Sequence, residues 1–273
     1  GMGVSLDRPA WSDPAVDWDQ YEGILVRTPW DYQDHRQAFV AWAEARGGRL
    51  FNPGAVVRWN TDKRYLRALE QHGVRLAPTE WVAQGETVDL AELIAQRGWT
   101  RGFLKPVIGA SSSDTLRFNA DEQGIVEAQQ FLDATSPRVG MMVQPYLDAV
   151  EREGELSVIF IDGQPTHAVR KVPVPGDYRV QDDHGASDHG AQASPAELEA
   201  CRHALAGMHA CLPELEGRPL LYARVDLLND GGGVPCLNEL EVVEPSLFFR
   251  HGAHAAGMLA EAFTGRVREL SGA

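Results

Sequence analysis

The stretch that decides the fold is LYARVDLLNDGGGVPCLNELEVV, residues 221–243. It contains two runs in which apolar and charged residues alternate, and between them lies the turn-forming sequence NDGGG. A two-residue turn at Gly232-Gly233 would fold these runs into an antiparallel hairpin. A second hairpin is predicted where ELSVIFI and QPTHAVRKV flank Asp162-Gly163. Antiparallel hairpins accompanied by helices favour an α+β architecture for this part of the chain.

The hairpin at 221–243 collects charged side chains on one side of its sheet. Successive side chains of a strand point to opposite faces, so Arg224 shares a face with Asp226, and Glu239 shares one with Glu241. The predicted turn pairs Asp226 with Glu239 and Arg224 with Glu241. Three carboxylates this close suit magnesium, which prefers oxygen ligands, and Glu244 is a secondary candidate. The alternative is a solvated sheet face, which the apolar residues between the charges disfavour.

The first hundred residues show a different pattern, in which strands and helices alternate. A buried parallel strand is predicted at 21–28, and helices follow at 35–46, 62–72 and 88–97. Gly47-Gly48 would end the first helix, and Asn60-Thr61 would cap the second. This alternation is typical of an α/β unit.

Strands predominate from Gly102 onward. They are predicted in GFLKPV, TLRF and MMVQPYL, with helices at 121–133, 194–211 and 253–263. GASDHGAQA, residues 185–193, is predicted to be a mobile loop. His184 and His189 are expected to belong to this flexible region rather than to a metal site.

Composition and charge exclude several classes of protein. The chain has 273 residues, 44% hydrophobic and 23% charged, as in an ordinary globular protein. The chain has 39 acidic residues (Asp and Glu) and 25 basic residues (Lys and Arg), which gives a net charge of −14. A negative charge of this size disfavours nucleic acid as a partner. No apolar stretch reaches the ~20 residues of a membrane helix. Three widely spaced cysteines and the lack of a signal pattern predict a cytoplasmic protein.

Lysine is scarce, and its positions are informative. Only Lys63, Lys105 and Lys171 are lysines among the 25 basic residues, and the other 22 are arginines. A coding bias towards arginine explains the surface. Such a bias leaves lysine where a compact point charge is needed and a broad planar guanidinium does not fit. Phosphate contacts are the leading example of such positions.

The surroundings of two lysines support a phosphate site. Lys105 lies in the apolar segment GFLKPV and therefore needs an anionic partner or a cleft. The small-residue loop 109–113 offers hydroxyls and backbone N–H groups to phosphate oxygens, although a plain connecting turn is the alternative. Lys171, with Arg170 and the nearby Arg179, would meet a phosphate or an acidic substrate, or form surface salt bridges.

The order of these segments resembles the ATP-grasp ligase superfamily. NTDKRYL, FLKPVIGASSS, QPYL, GELS, RVD and NELE follow one another as in that family, over residues 55–250. The sequence is similar to glutathione-synthetase-like and RimK-type members, and its RTPWDY, WNTDKRYL and GDYRVQ segments resemble the group that contains the cycloserine-forming ligase. The resemblance implies two α+β lobes that grip ATP, at 59–145 and 146–273, preceded by a small α/β domain at 1–58.

The resemblance implies a role for each site residue. For ATP they are Lys63, Lys105, the loop serines Ser111, Ser112 and Ser113, the interlobe hinge Gln144, Pro145, Tyr146 and Leu147, and Glu155 or else Glu151 at the ribose. For two magnesium ions, which manganese can replace, they are Asp226, Glu239 and Glu241. For catalysis they are Lys171 near the γ-phosphate and Arg224 at an acyl phosphate. Two arginines, Arg27 and Arg179, are expected to contact the substrate carboxylate. Arg27 lies at the end of a strand, where α/β proteins bind their ligands.

Two departures from the family pattern qualify the expected function. Many members carry Asn at the position of Glu241, and residues 1–58 lack the strand–helix unit that opens the relatives, which predicts a truncated domain. The sequence predicts an ATP- and magnesium-dependent carboxylate–amine ligase that forms an acyl phosphate on an amino acid or small peptide, with intramolecular ring closure as one form. The alternatives are a small-molecule kinase and a nucleotide-binding module without turnover. A homodimer is left open.

Overall fold

The computed structural model describes residues 3–109, 114–180 and 185–272. The described helices are α1 (Arg36–Glu44), α2 (Gly54–Asn60), α3 (Tyr65–Gln71), α4 (Leu90–Arg97), α5 (Glu122–Thr135), α6 (Ala149–Glu153), α7 (Pro195–Cys211) and α8 (Ala253–Ser271). The described strands are β1 (Ile24–Leu25), β2 (Leu50–Phe51), β3 (Glu80–Val82), β4 (Arg101–Pro106), β5 (Leu116–Asn119), β6 (Met141–Pro145), β7 (Glu155–Ile161), β8 (Gln164–Val172), β9 (Ser187–Ala191), β10 (Tyr222–Asn229) and β11 (Pro235–Glu241). None of these helices is long and apolar enough to cross a membrane.

The strands form three sheets. β1 and β2 pair in parallel, as the alternating N-terminal pattern predicts. A four-stranded antiparallel sheet has the order β3-β6-β4-β5, and a five-stranded antiparallel sheet has the order β11-β10-β7-β8-β9. The predicted α+β architecture is therefore confirmed.

Each large sheet is covered by helices through apolar side chains. α4 and α5 pack on one face of the four-stranded sheet, around Leu104 and Val143. The five-stranded sheet is covered on both faces, by α7 against Val158 and by α8 against Ile159. Because side chains alternate, the α8 face of β7 also carries Ser157 towards the start of the strand. That uncovered part of the face is where the polar site lies.

The pairing predicted for the charged hairpin is confirmed, although the predicted turn is wrong. Arg224 pairs with Glu241, and Asp226 pairs with Glu239. Five residues, 230–234, join the strands, and the carboxylate of Asp230 accepts hydrogen bonds from the backbone N–H groups of Gly232 and Val234. The register holds because a bulge at Asn238 shifts β11 by one residue next to the site.

Three other local predictions are corrected by the structure. α1 ends at Glu44, and Gly47 instead begins a short 3₁₀ turn. Asn60 does not cap α3, because it is the last residue of α2 and its amide bonds to the backbone of β11. Most of the segment predicted to be mobile is β9, which is fixed where the carboxylate of Asp188 contacts Arg250 and His251.

The N-terminal unit is bound to the hairpin by buried hydrogen bonds. The amide of Asn52 donates to the backbone oxygens of Tyr222 (2.9 Å) and Val242 (2.8 Å), and its oxygen accepts from the N–H of Leu221 (2.8 Å). The hydroxyl of Tyr222 is 3.0 Å from the Val26 oxygen. These contacts bring the loop after β1 to one end of the charged sheet face.

Candidate active site

A cleft of about 690 Å³ lies between the four-stranded and five-stranded sheets. The four-stranded sheet contributes Phe103, Lys105 and residues 144–147, and α3 begins just beyond Lys63, which also lines the cleft. The five-stranded sheet supplies the charged residues, which are Glu155, Lys171, Arg224, Asp226, Glu239 and Glu241. The cleft has the size and polarity of a small-molecule site. All three lysines of the chain line it.

Asp226 is the most buried acid of the site, with 2% of its surface exposed. Its carboxylate accepts hydrogen bonds from Arg224 (2.9 Å) and from the hydroxyl of Ser157 (2.6 Å), and Lys171 is 3.3 Å away. Burial raises the pKa of Asp226, but Arg224 and Lys171 outweigh it and lower this pKa to about 2. The carboxylate is therefore ionised and fixed in place.

Glu241 is less well compensated than Asp226. It contacts the guanidinium of Arg224, which also binds Asp226. Burial raises the pKa of Glu241 to about 8 despite Arg224, and repulsion from Asp226 and Glu239 adds to this effect. Among the described residues, Glu241 shares its ion-pair partner Arg224 with Asp226, so the burial of its carboxyl is only partly compensated.

Asn238 connects the two sheets across the cleft. At the bulge of β11 its amide nitrogen donates to Glu155 (2.6 Å), and its oxygen accepts from the ammonium of Lys105 (3.3 Å). Glu155 in turn contacts the ammonium of Lys171. Burial raises the pKa of Glu155 and lowers the pKa of Lys105, so these groups depend on one another for their charged states.

Glu239 lies between two lysines. Its carboxylate is 3.6 Å from the ammonium of Lys63 and 3.8 Å from that of Lys105. Lys63 also donates to the backbone oxygen of Gly109 (2.6 Å), the last described residue before the small-residue loop. The two lysines therefore converge on Glu239, with Lys63 next to Gly109, and two cations placed together in this way suit a phosphate.

The carboxylates were tested as a metal site on their own geometry. Among the described residues, no group of three or more acids, histidines or cysteines has an arrangement ready to hold a metal ion. Asp226, Glu239 and Glu241 instead contact Arg224 and the lysines. Their oxygen chemistry and the crowding of three carboxylates nevertheless fit a divalent cation, so the donor set is compatible with magnesium once the cationic side chains move.

The other end of the cleft is lined by aromatic residues and by the end of β6. Gln144 donates to the hydroxyl of Thr79 (2.8 Å) and thereby holds the 144–147 segment. Tyr178 packs edge-on against Phe103, with ring centroids 5.1 Å apart, and its hydroxyl is 2.9 Å from that of Thr115. These contacts form an aromatic wall where the connection between β8 and β9 meets the four-stranded sheet.

Several predicted site residues lie away from this centre. Arg179 forms a local pair with Asp177 (2.7 Å) and does not line the cleft, although its neighbour Tyr178 does. Arg27 packs over the ring of Tyr222 and donates to the Pro245 oxygen, behind the described lining. Glu151, the alternative to Glu155, pairs with arginines on the surface. Ser111, Ser112, Ser113 and His184 lie outside the described residues.

Sequence reasoning missed three residues of the site. Asn238 is one letter of the NELE segment, but only the bulge shows that its amide enters the cleft. Ser157 shares the face of Glu155 by alternation, and this signal was available. Tyr178 follows no strand or helix pattern, and only the structure places it over Phe103.

Comparisons with known proteins agree with this geometry. A cleft between two antiparallel sheets, lined by lysines and carboxylates, has the architecture of the ATP-grasp enzymes. Residues 74–249 match the family model of the prokaryotic glutathione synthetase ATP-grasp domain, and residues 1–52 match the model of the D-cycloserine synthetase DcsG N-terminal domain. Residues 1–52 are thus recognised as a domain by this match. The strand–helix unit that opens the relatives was not found in them from sequence.

Individual relatives give the same result. The cycloserine biosynthesis protein DcsG of Streptomyces lavendulae is 32% identical over 98% of this chain and 90% of its own length. The glutathione synthetase of Parasynechococcus marenigrum is 27% identical over 75% of this chain and 60% of its own length. The crystal structure of D-cycloserine synthetase DcsG superposes with a TM-score of 0.86 at 29% identity, covering 97% of this chain and 91% of that one.

A more distant structure shows the fold alone. The D-alanine–D-alanine ligase of Bacillus anthracis superposes with a TM-score of 0.55 at 21% identity, covering 80% of this chain and 69% of that one. The chain belongs to the ATP-grasp ligases of the glutathione-synthetase-like type. It is therefore an ATP-dependent ligase, and ATP and magnesium are the cofactors of its family.

Proposed function

We propose that this protein joins a carboxylate to an amine through an acyl phosphate, with an amino acid or small peptide as the carboxylate substrate. The observation that carries the proposal is the convergence of three lysines and Arg224 on three carboxylates in one cleft. That arrangement suits a polyanion bound with metal ions better than any single small acid.

The nucleotide would lie along the cleft, from the aromatic wall to the acids. Phe103 and Tyr178 would hold the base near the 144–147 segment, and the buried Glu155 would face the ribose. Lys63 and Lys105 would contact the phosphates, because both converge on Glu239, with Lys63 next to Gly109. Ser111, Ser112 and Ser113 are proposed to complete this phosphate site.

Asp226, Glu239 and Glu241 would hold magnesium, with two ions proposed. The ions would supply charge neutralisation at the phosphates and a template for in-line transfer. The crowding of these carboxylates supports the assignment, because a divalent cation would offset the repulsion of Glu241 by Asp226 and Glu239.

The reaction needs positioning more than a nucleophilic side chain. A carboxylate oxygen of the substrate attacks the γ-phosphorus, the bond to the β-phosphate oxygen breaks, and ADP leaves. An amine then attacks the acyl carbon, phosphate leaves with the former carboxylate oxygen, and the amine loses a proton. Arg224 and Lys171 would stabilise the charge that develops at the transferred group, because both are buried beside Asp226.

The relative that covers most of this chain suggests a narrower substrate. It is a cycloserine biosynthesis protein, and its structure is that of a D-cycloserine synthetase. We therefore propose intramolecular closure of a ring on a serine-like amino acid as the first form of the reaction to test, in the cytoplasm. Arg179 is proposed to contact the substrate only if its pair with Asp177 opens.

The decisive experiment follows one oxygen atom. Candidate amino acids labelled with ¹⁸O in the carboxylate are incubated with ATP and magnesium, and ADP and phosphate are analysed by mass spectrometry. A ligase transfers one ¹⁸O to inorganic phosphate. A kinase gives ADP and a stable phosphorylated product without labelled phosphate, and a binding module gives no ADP at all.

Two variants separate the site from general damage. Asp226→Asn should lower ADP release at least ~100-fold, because it removes the charge that organises Arg224 and Lys171. Asp13→Asn is the matched control, since Asp13 is exposed and its only described side-chain contact, to the Ala15 N–H, survives the change. Equal rates for the two variants would contradict the metal and phosphate assignment.

A further inference from the structure

Glu244 lies in the cleft, and beyond being a secondary candidate for magnesium it has no role in the proposed reaction. We infer that its carboxylate binds the ammonium group of the acceptor, so that the enzyme takes an amino acid with a free amino group. The inference rests on the proposed function and narrows its substrate class.

The position of Glu244 is fixed from two sides. It follows β11 by three residues, and the hydroxyl of Tyr32, from the loop between β1 and α1, acts on its carboxyl so as to lower the pKa of Glu244. Ser246 and Phe248 line the cleft next to it. Glu244 therefore lies at the junction of the N-terminal unit and the hairpin, beyond the proposed metal ligands.

The cations of the described cleft are engaged elsewhere. Arg224 pairs with Asp226 and Glu241, Lys171 pairs with Glu155 and Asp226, and both Lys63 and Lys105 face Glu239. Within the described ranges, no lysine, arginine or histidine forms an ion pair with Glu244. Burial accordingly raises the pKa of Glu244.

Glu244 lies beyond the proposed metal ligands, where a carboxylate without a bound cation would repel phosphate, so a cationic group of the acceptor suits it better. Arg224 lies close enough to act electrostatically on Glu244, and its guanidinium donates to the backbone oxygen of Ser246 (3.2 Å). An amino acid carries its carboxylate and its ammonium on one carbon atom. It can thus present the reacting carboxylate at Arg224 and the ammonium at Glu244.

The aromatic residues around Glu244 fit a small zwitterion. Tyr32 and Phe248 are buried, and Phe248 packs against the guanidinium of Arg224 at 5.7 Å. Trp30 lines the same end of the cleft with 73% of its surface exposed. An ion pair between Glu244 and an ammonium would be partly shielded from water here, which strengthens it.

The test compares acceptors that differ only at the amino group. D- and L-serine and D- and L-alanine are each matched with the N-acetyl derivative and with the 2-hydroxy acid, in the full chain with magnesium. Calorimetry in the presence of a non-hydrolysable ATP analogue measures binding, and ADP release measures turnover. The expected result is that only free amino acids bind and release ADP.

Variants assign that preference to Glu244. Glu244→Gln should weaken binding of the preferred amino acid about tenfold or more, since it removes one partner of a buried ion pair. It should leave the affinity for the ATP analogue, with magnesium, within about twofold. Glu244→Asp should restore part of the preference, and Glu216→Gln, at an exposed acid, should change nothing.

Each contrary outcome points to a different error. Equal binding of amino acids and their N-acetyl forms by the native enzyme overturns the inference and leaves the ligase proposal standing. Loss of ATP-analogue binding in Glu244→Gln overturns it in favour of a metal ligand. Failure of every acceptor, with or without an amino group, overturns the proposed ligase function and this inference together.

Discussion

Replacing Asn52 by Ala tests how the N-terminal unit is attached to the catalytic hairpin. Asn52 is 2% exposed and makes three hydrogen bonds of 2.8–2.9 Å, each to a backbone group of the hairpin region. Alanine removes all three and leaves two carbonyl groups and one N–H without these partners. The loop that carries Tyr32 depends on the same attachment.

The magnitude follows from counting the groups left unpaired. A buried polar group that loses its partner costs about 1–3 kcal/mol, so three such groups predict a loss of about 3–9 kcal/mol. This is a large part of the roughly 5–15 kcal/mol that stabilises a folded protein. Asn60 gives an internal comparison, because its amide makes two bonds, to the Leu240 oxygen (2.7 Å) and the Val242 N–H (3.1 Å), from a half-buried position.

Urea unfolding followed by tryptophan fluorescence measures both variants. Asn52→Ala should lose clearly more stability than Asn60→Ala, for which about 1–3 kcal/mol is expected because water can reach the released groups. Asn52→Leu keeps the side-chain volume without polar atoms and should be as unstable as Asn52→Ala. Recovery of stability in Asn52→Leu, or a loss below about 1 kcal/mol in Asn52→Ala, would refute the hydrogen-bond argument.

Three further changes test the site and one helix. Asn238→Ala should raise the KM for ATP about tenfold or more in a protein that still folds, since Lys105 and Glu155 lose their common partner. An unchanged KM would contradict the bridging role of Asn238. Ser194→Ala should cost about 1 kcal/mol in urea unfolding by removing the capping box of α7, and no loss would show that the cap is dispensable. Lys105→Arg should lower kcat/KM for ATP about 100-fold, whereas Arg218→Lys on the surface should not; equal activities would remove the case for a slim cation.

The hairpin shows how far sequence patterning determines a site. Strand alternation and an antiparallel pairing were sufficient to place Arg224, Asp226, Glu239 and Glu241 together. The same reasoning assumed a short turn, and the structure reaches the same register with a longer connection and a bulge at Asn238. Bulges depend on the packing of neighbouring elements, so a strand pattern read from one segment does not reveal them.

Residues in loops were predicted less well than residues in strands. Asn60 has the chemistry of a helix cap, and sequence alone cannot show that β11 uses its amide instead. The segment 187–191 is rich in small polar residues, yet it forms β9 because Arg250 and His251 bind Asp188. The contacts of Asp188 join residues about 60 positions apart, and local propensity does not predict contacts over that distance.

The three lysines were singled out on different grounds, and the structure places all of them in one cleft. No periodicity was used, only the expectation that an arginine-rich chain keeps lysine where arginine is excluded. Lys105 is 5% exposed and enters the cleft between Asn238 and Glu239, where a planar fork would meet the opposite sheet. Lys171 is enclosed in the same way by Glu155 and Asp226. In a chain this rich in arginine, the three lysines therefore mark the charged cleft between the two sheets.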